Sequence, residues 1–382
     1  MTREAARSQP SASPISGAST SITAFLGRTP TGPTDTLQAV ASFAEFSSTF
    51  GPITTGYPLT DSVYDFFNNG GTQALIVRVG AGTTSLSDAD LLGVSSPNTG
   101  LALLANQGGF NLLCIPPDQA DGALSESVIA AAAQCCLDQD AMLILDPPPS
   151  WLAAAKAGQW DQLDPSTLVS GEPARATAVY FPRIMRADLL YPETTKAYPP
   201  SGAIAGIFSR FDRDSGVWIA PAGTLASLQG IAGFEIQLTD QNQEQFTGLG
   251  TNALRSFSNF GPVIWGARTA RGADVLADDF KYVPQYRLYH WIRRSILDNT
   301  RWAVFEPSTP VVWASLQASI SVFMNTLMQQ GAFNQFAVQC DATTNSSADI
   351  ERGLINLNVL YDAFRPAEFT VMPLQIAAQA AS

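Results

Sequence analysis

Charge is scarce in this chain of 382 residues: Asp, Glu, Lys and Arg make up only 14% of it, where soluble chains average roughly 25%. A surface so poor in charge belongs either to a protein covered by partners or to a tightly packed, mildly acidic globule. The charge present is negative, 33 acids against 21 bases, for a net of −12. That excludes the non-specific nucleic-acid grip in which Lys and Arg displace counterions from phosphates. Cysteine pairing is missing too. Cys114, Cys135, Cys136 and Cys340 form no CxxC and no zinc spacing, so buried reduced thiols and no metal are expected.

Histidine is nearly absent. The one histidine, His290, sits between Tyr289 and Trp291 in an expected helix, and no GxSxG turn is present to carry a serine nucleophile beside it. A Walker A segment is also missing. VRVGAG (Val77 to Gly82) follows a strand, but the third glycine position of a dinucleotide loop is Ser85. DRDSG (Asp212 to Gly216) opens like a calcium loop, yet the twelfth position is Gly223 where a bidentate Glu belongs. Asp278 and Asp279 read as solvated. No cofactor and no catalysis are therefore expected. No run of about 18 apolar residues appears, so no membrane insertion is expected. The start, MTREAARSQPSASP, lacks the apolar core of a secretory signal. Synthesis and folding in the cytoplasm follow as expectations.

The length suits two or three packed units. Residues 1–18, rich in Ser, Ala and Pro, read as an arm. Strands are expected at SITAFLG, LQAVAS and ALIVRVG, with a helix capped by Ser42 and stopped by Gly51. A second helix is expected over about Asp61 to Asn69. The middle alternates NLLCIPP, an Ala-rich helix capped by Ser125, AMLILDPPP, ATAVYFP and the small-residue helix PSGAIAGIFSRFD. This rhythm implies a mainly parallel sheet with helices on its faces. Towards the end, GPVIWGART reads as a strand, Pro284 opens a helix to about Asn299, RWAVFEP reads as a strand, and Thr309 or Pro310 opens a helix to Gln330. FAVQCD, INLNVLY and AEFTVMPLQIA close the chain as strands. The fold class is α/β plus α+β.

Five segments, in order, resemble the contractile tail sheath family. They are STSITAFLGRTPTGP with FAEFSSTFG and YDFFNNGGTQALIVRV; YFPR with PPSGAIAGIFSRFDRDSGVWIAPAG; LGTNALRSF with GPVIWGARTA; YRLYHWIRRSI with TRWAVFEP; and CDATTNSSADIERGLINLNVLY with FRPAEF. The PGVYVEE-like strand with which sheath subunits begin is missing; REAARS (Arg3 to Ser8) matches only its tail. The resemblance implies a two-unit subunit with a mixed sheet flanked by helices and extended N- and C-terminal arms. It implies an N-terminal arm at 1–18, an inner domain from 19–80 with 264–366, a non-catalytic subtilisin-like middle domain at 81–263, and a C-terminal arm at 367–382. It implies a helical homopolymer around an inner tube protein, with baseplate and terminal cap partners, housed in a virion tail or injection system.

Two sets of residues carry that role. Phe369, Val371, Met372 and Ile376 are candidates to fill pockets on a neighbour that receives the last strand by β-augmentation; an ordinary internal edge strand is the competing reading. Arg287, His290 and Arg294 fall at i, i+3 and i+7 on one helix. They could grip an acidic tube, or form a solvated face with local ion pairs. With no nucleotide site evident, energy is expected to reside in two lattice packings of folded subunits. The alternatives are a serine hydrolase with a subtilisin-like domain and a non-contractile shell or scaffold protein.

Overall fold

Local sequence signals set most boundaries. Ser42 accepts a hydrogen bond from the Glu45 amide at the start of the first helix, and Gly51 ends it at φ 91°, a conformation that costs glycine little. Ser125 likewise caps the Ala-rich helix through the Val128 amide. The computed structural model describes residues 14–80, 85–93, 98–119, 122–362 and 370–378. Two compact units result, Ser19–Arg287 and Leu288–Ser382 with Met1–Ala18.

The larger unit runs β1 (Thr23–Gly27), β2 (Leu37–Val40), α1 (Phe43–Phe50), α2 (Pro58–Asn68), β3 (Ala74–Arg78), α3 (Asp88–Leu92), α4 (Gly100–Gln107), β4 (Leu112–Cys114), α5 (Glu126–Asp138), β5 (Met142–Leu145) and α6 (Pro149–Lys156). It continues through β6 (Thr177–Phe181), β7 (Ile184–Ala187), β8 (Thr195–Tyr198), α7 (Ser201–Asp214), β9 (Gly233–Phe234), α8 (Asp240–Thr247), β10 (Asn252–Phe257) and β11 (Gly261–Trp265). Eight strands form one sheet in the order β11-β10-β6-β5-β4-β1-β3-β2. The six central strands are parallel, and the edge strands β2 and β11 run antiparallel. Continuous apolar runs such as MLIL in β5, buried at every residue, are what a sheet covered on both faces demands. A small sheet, β8-β7-β9, lies apart. Helix α2 starts at Pro58, earlier than the expected Asp61, because proline is pre-organised for the first helical turn.

This topology corrects the anticipated domains. β1, β2 and β3, expected to join residues 264–366, share their sheet with β4, β5, β6 and β10. β1 lies between β3 and β4, so residues 19–80 and 81–263 have one core.

Helix α7 packs against α2 through glycines. A Cβ on Gly202 would lie 2.1 Å from the Ser62 carbonyl oxygen, and one on Gly206 would lie 2.4 Å from that of Phe66. Beside them Arg186 is buried between two carboxylates, with Nη2 2.7 Å from Asp61 and Nε 2.8 Å from Asp65. The Tyr198 ring centroid lies 3.7 Å from the guanidinium carbon. Burial pushes the Asp65 carboxyl up to about 7 against the opposing pull of Arg186. It pushes Asp146 up to about 6, although Ser201 donates to that carboxylate from both its amide and its hydroxyl.

Both acids bind protons more tightly folded than unfolded. Their stabilising share is complete below the ordinary carboxylate range and is lost as pH rises through those raised values. Asp274, held low by Lys281 and then Arg268, acts in the opposite sense and only at lower pH. The unfolding temperature of the larger unit is therefore expected to be higher at about pH 5 than at about pH 8. Differential scanning calorimetry across that interval checks it; a temperature that rises towards alkaline pH contradicts it.

Helix α9 (Val283–Asn299) contains the border between the units, which falls after Arg287. The smaller unit continues with α10 (Pro310–Gln329), β12 (Phe336–Gln339), α11 (Ser347–Glu351), β13 (Leu354–Tyr361) and β14 (Thr370–Ala377). RWAVFEP, expected as a strand, is a 3₁₀ segment, Arg301–Phe305. A short apolar run reads alike in either state, and here Phe305 is 79% exposed, so no sheet face needs it. α10 is uncharged and contains an 18-residue window of mean hydropathy 1.3, long and apolar enough by composition to cross a membrane. Ser315, Gln317, Ser319 and Asn325 interrupt the apolar run without adding charge. Trp313, Leu316, Ile320, Phe323 and Leu327 are buried on it, as a core helix requires.

Candidate assembly interface

The smaller unit is organised by a three-stranded antiparallel sheet, β12-β13-β14. β13 alternates strictly, with Ile355, Leu357, Val359 and Tyr361 buried. β14 alternates in phase, and Met372, Leu374 and Ile376 are buried. The register sets Val359 opposite Met372, Leu357 opposite Leu374 and Ile355 opposite Ile376. Three apolar cross-strand pairs on one face fix that register, because a slip of one residue would turn the whole set outward. Pro373 is compatible only with a strand paired on one side, and β14 is indeed the outer strand.

Of the residues anticipated for the last strand, Met372 and Ile376 are thus placed together in one apolar row. Leu374, which period-two counting from Met372 would have found, completes it. Phe369 and the side chain of Val371 lie outside the described residues. Here β14 pairs with its own chain, the internal-edge arrangement that the sequence left open.

The CDATTNSSADIERG segment fixes the turn before β13. The Asn345 side chain accepts from the Asn356 amide at 2.7 Å and donates to the Asn356 carbonyl at 2.9 Å, clamping the turn to the strand. Ser346 and Asp349 form a capping box at the start of α11. Segment 14–18 is tied to the same unit. Trp291 donates to the Ala18 carbonyl at 2.8 Å, and the Ala18 amide donates to Ser295 at 2.9 Å.

The basic residues of α9 do not form one open stripe. Arg287 is 7% exposed. It makes a two-point contact with Asp212 at 2.6 and 2.8 Å and donates to the Thr20 carbonyl. A buried guanidinium needs such a counter-charge, and this use also accounts for Asp212 of the DRDSG turn. His290 is half-buried, its ring 5.1 Å from that of Tyr289. Arg294 is the more open member and pairs with Asp298 at 2.9 Å.

Two places in the larger unit resemble enzyme sites in outline. The fully buried Ser201 hydroxyl donates to Asp146 at 2.8 Å, but the chain's one histidine belongs to the other unit. That pair caps α7, whose first amides need an acceptor. The second place is the topological switch point between β1 and β4, where open α/β sheets bind ligands. Arg28 and Asp118 meet there at 2.5 Å. Arg28 also donates to the Gly56 carbonyl, and the Leu86 amide donates to Asp118. Beside that pair opens a recess of ≈ 270 Å³, with Gly56, Tyr57, Asp61, Asp118 and Lys196 in its lining. Among the described residues no group of His, Cys, Asp and Glu suits a metal ion.

Residues 277–377 match the family model of the phage tail sheath C-terminal domain. Across 346 residues the chain is 26% identical to a putative prophage major tail sheath protein of Pseudomonas aeruginosa (strain UCBPP-PA14), spanning 86% of this chain and 82% of that one. Over most of its length the chain is similar to tail sheath proteins. It is also 25% identical over 163 residues to the tail sheath protein of Vibrio phage KVP40, a match that spans 42% of this chain and only 24% of that longer relative. The sheath fold extends over the whole chain. The sheath complex of an extracellular contractile injection system, PVC, in its contracted state aligns with a TM-score of 0.73 at 24% identity, covering 97% of this chain and 96% of that one. A chain of the anti-feeding prophage baseplate in its contracted state aligns at 0.76 and 23% identity, covering 98% and 97%. These likenesses show that the fold of the α/β unit, as well as that of the C-terminal domain, is shared with those chains.

Proposed function

We propose that this chain is the structural subunit of a contractile sheath, polymerising helically around an inner tube and shortening to drive that tube through a target envelope. One observation carries the reading: the chain is similar over 86% of its length to a prophage major tail sheath protein, and β14, an outer strand held by three apolar pairs on β13, is the element that copies would exchange. Exchange of an identical strand costs little in contacts and leaves folded bodies free to swing while the link persists. Lattice energy then does the work, since two packings that differ by a few kcal/mol per subunit sum along a filament. Baseplate and cap proteins end the polymer. Arg294 is the α9 residue best placed to touch an acidic tube.

Synthesis and assembly take place in the cytoplasm, and the finished particle carries the subunit outside after lysis. The serine-hydrolase reading loses ground because Ser201 is buried and the chain's one histidine belongs to the other unit. Electron microscopy of material produced with its assembly partners tests the proposal: hollow helical tubes are expected, and single particles under all conditions contradict it. Replacing His290 by Ala is expected to leave tube yield and length within about twofold of the parent, as for most substitutions away from a core or buried network. Loss of tubes would give that residue a role this account lacks.

A further inference from the structure

A recess on the larger unit is built around a guanidinium with unused donors. Antiparallel pairing of β10 with β11 sets Ala253 opposite Trp265, Arg255 opposite Val263 and Phe257 opposite Gly261, so Arg255, Phe257 and Trp265 share a face. The Phe257 and Trp265 rings lie 4.7 Å apart, and the Arg255 guanidinium carbon is 4.6 Å from the Phe257 centroid. Beside them, under α8, opens a recess of ≈ 260 Å³ lined by Asp240, Gln243, Glu244, Thr247, Arg255 and Trp265.

Arg255 is only 9% exposed, yet its hydrogen bonds all leave from Nη1, to Asp240 at 2.5 Å and Gln243 at 3.1 Å. Its Nε is buried without a partner, and so is Thr247 Oγ1 in the same lining. Orphaned polar atoms of this kind destabilise a subunit that stands alone. The Nε and Nη2 donors lie along one edge of the planar fork, the geometry that receives a carboxylate at two points. A lone carboxylate would meet repulsion from Asp240, 85% exposed at the rim, and from Glu244. The fitting occupant therefore brings a base beside its acid. The end of α7 presents such a pair. Arg213 and Asp214 lie 2.9 Å apart with side chains 51% and 55% exposed, and neither bonds to the recess of its own chain.

We propose that the recess receives Asp214 of a second copy of this chain, its carboxylate on the Nε–Nη2 edge of Arg255 and its neighbour Arg213 against Asp240 and Glu244. Two different patches meet, so the contact is heterologous and propagates from copy to copy. The inference rests on the sheath reading and names one of its subunit contacts.

Assembled particles of the double variant Thr247→Cys with Ser215→Cys, which keeps Asp214, test it under mild oxidation, beside each single variant. A ladder of covalently linked subunits is expected from the double variant alone. Independently, Arg255→Lys keeps the charge but loses the fork, and it is expected to raise the concentration needed for assembly roughly tenfold. Tubes that form without a ladder, and that tolerate Arg255→Lys, overturn this contact and leave the sheath reading standing. No tubes from the unmodified chain with its partners overturns the sheath reading and this contact with it.

Discussion

A chain lacking residues 370–382 is expected to form no tubes at all, while its larger unit melts as before. The strand carries Met372, Leu374 and Ile376 into the apolar face of β13. Fully burying such side chains is worth about 1.5–3 kcal/mol each, and no other described strand covers that side of β13. A milder variant separates the strand's role from the mere presence of its residues. Ile376→Asp leaves the backbone intact but places a carboxylate opposite Ile355, where it has no counter-charge. Tube assembly is expected to fall at least about tenfold, as a loss of roughly 1.4 kcal/mol per contact already gives. Negative-stain counting of tubes reads it. Gln375→Asp, on the exposed face of the same strand, is the control expected to assemble. Equal assembly by Ile376→Asp and the parent would remove the strand from the account.

The second large effect lies in the α2–α7 contact, where two intuitions about glycine disagree. Intrinsic propensity favours alanine over glycine inside a helix by about 1 kcal/mol, so Gly206→Ala ought to stabilise α7. The close approach argues the reverse. An added Cβ would sit 2.4 Å from the Phe66 carbonyl oxygen and 2.8 Å from the Asn69 Cβ. The first is backbone on a helix that also carries Asp61 and Asp65 to Arg186. Overpacking of this kind costs about 1–3 kcal/mol and outweighs the propensity gain. Gly206→Ala and Gly202→Ala are each expected to lower the unfolding temperature of the larger unit by several degrees. Gly158→Ala, where a Cβ meets nothing within 4 Å, is the comparison for an open position, although its φ of 75° strains alanine by itself. A rise in melting temperature for Gly206→Ala would show that the helices part freely.

The fold was readable in the sequence where one short signal decides a boundary. Ser42, Gly51, Ser125 and Pro310 placed their helix ends to within a residue or two, because a cap is a single side chain meeting a single amide. The buried strands were equally plain as uninterrupted apolar runs. RWAVFEP misled because composition does not say whether an apolar run has a face to cover. The grouping of residues 19–80 failed for a different reason. Which strand lies beside which is decided by long-range pairing, and nothing within β1 announces that its neighbours are β3 and β4. The four residues named for the last strand mix two phases: Met372 and Ile376 share the buried row of β14, and Leu374, which has their phase, was passed over. Arg287, His290 and Arg294 lie on one helix as expected, but Asp212, 75 residues away, claims Arg287, and sequence spacing has no means of showing that. Arg255 could not be anticipated at all. Its interest lies in a buried Nε left without a partner, a property of packing and not of residue type.

The sheath reading depends on whether the strand that completes one smaller unit comes from another copy. Asn356 and Gln375 are cross-strand partners on the open face of β13 and β14, joined side chain to side chain at 2.9 Å. The variant Asn356→Cys with Gln375→Cys, oxidised in assembled particles and run on a denaturing gel without reductant, reports which chain each strand belongs to. Strand exchange predicts a ladder of linked subunits; a single band of monomer with an internal disulfide, recovered from intact tubes, would contradict it.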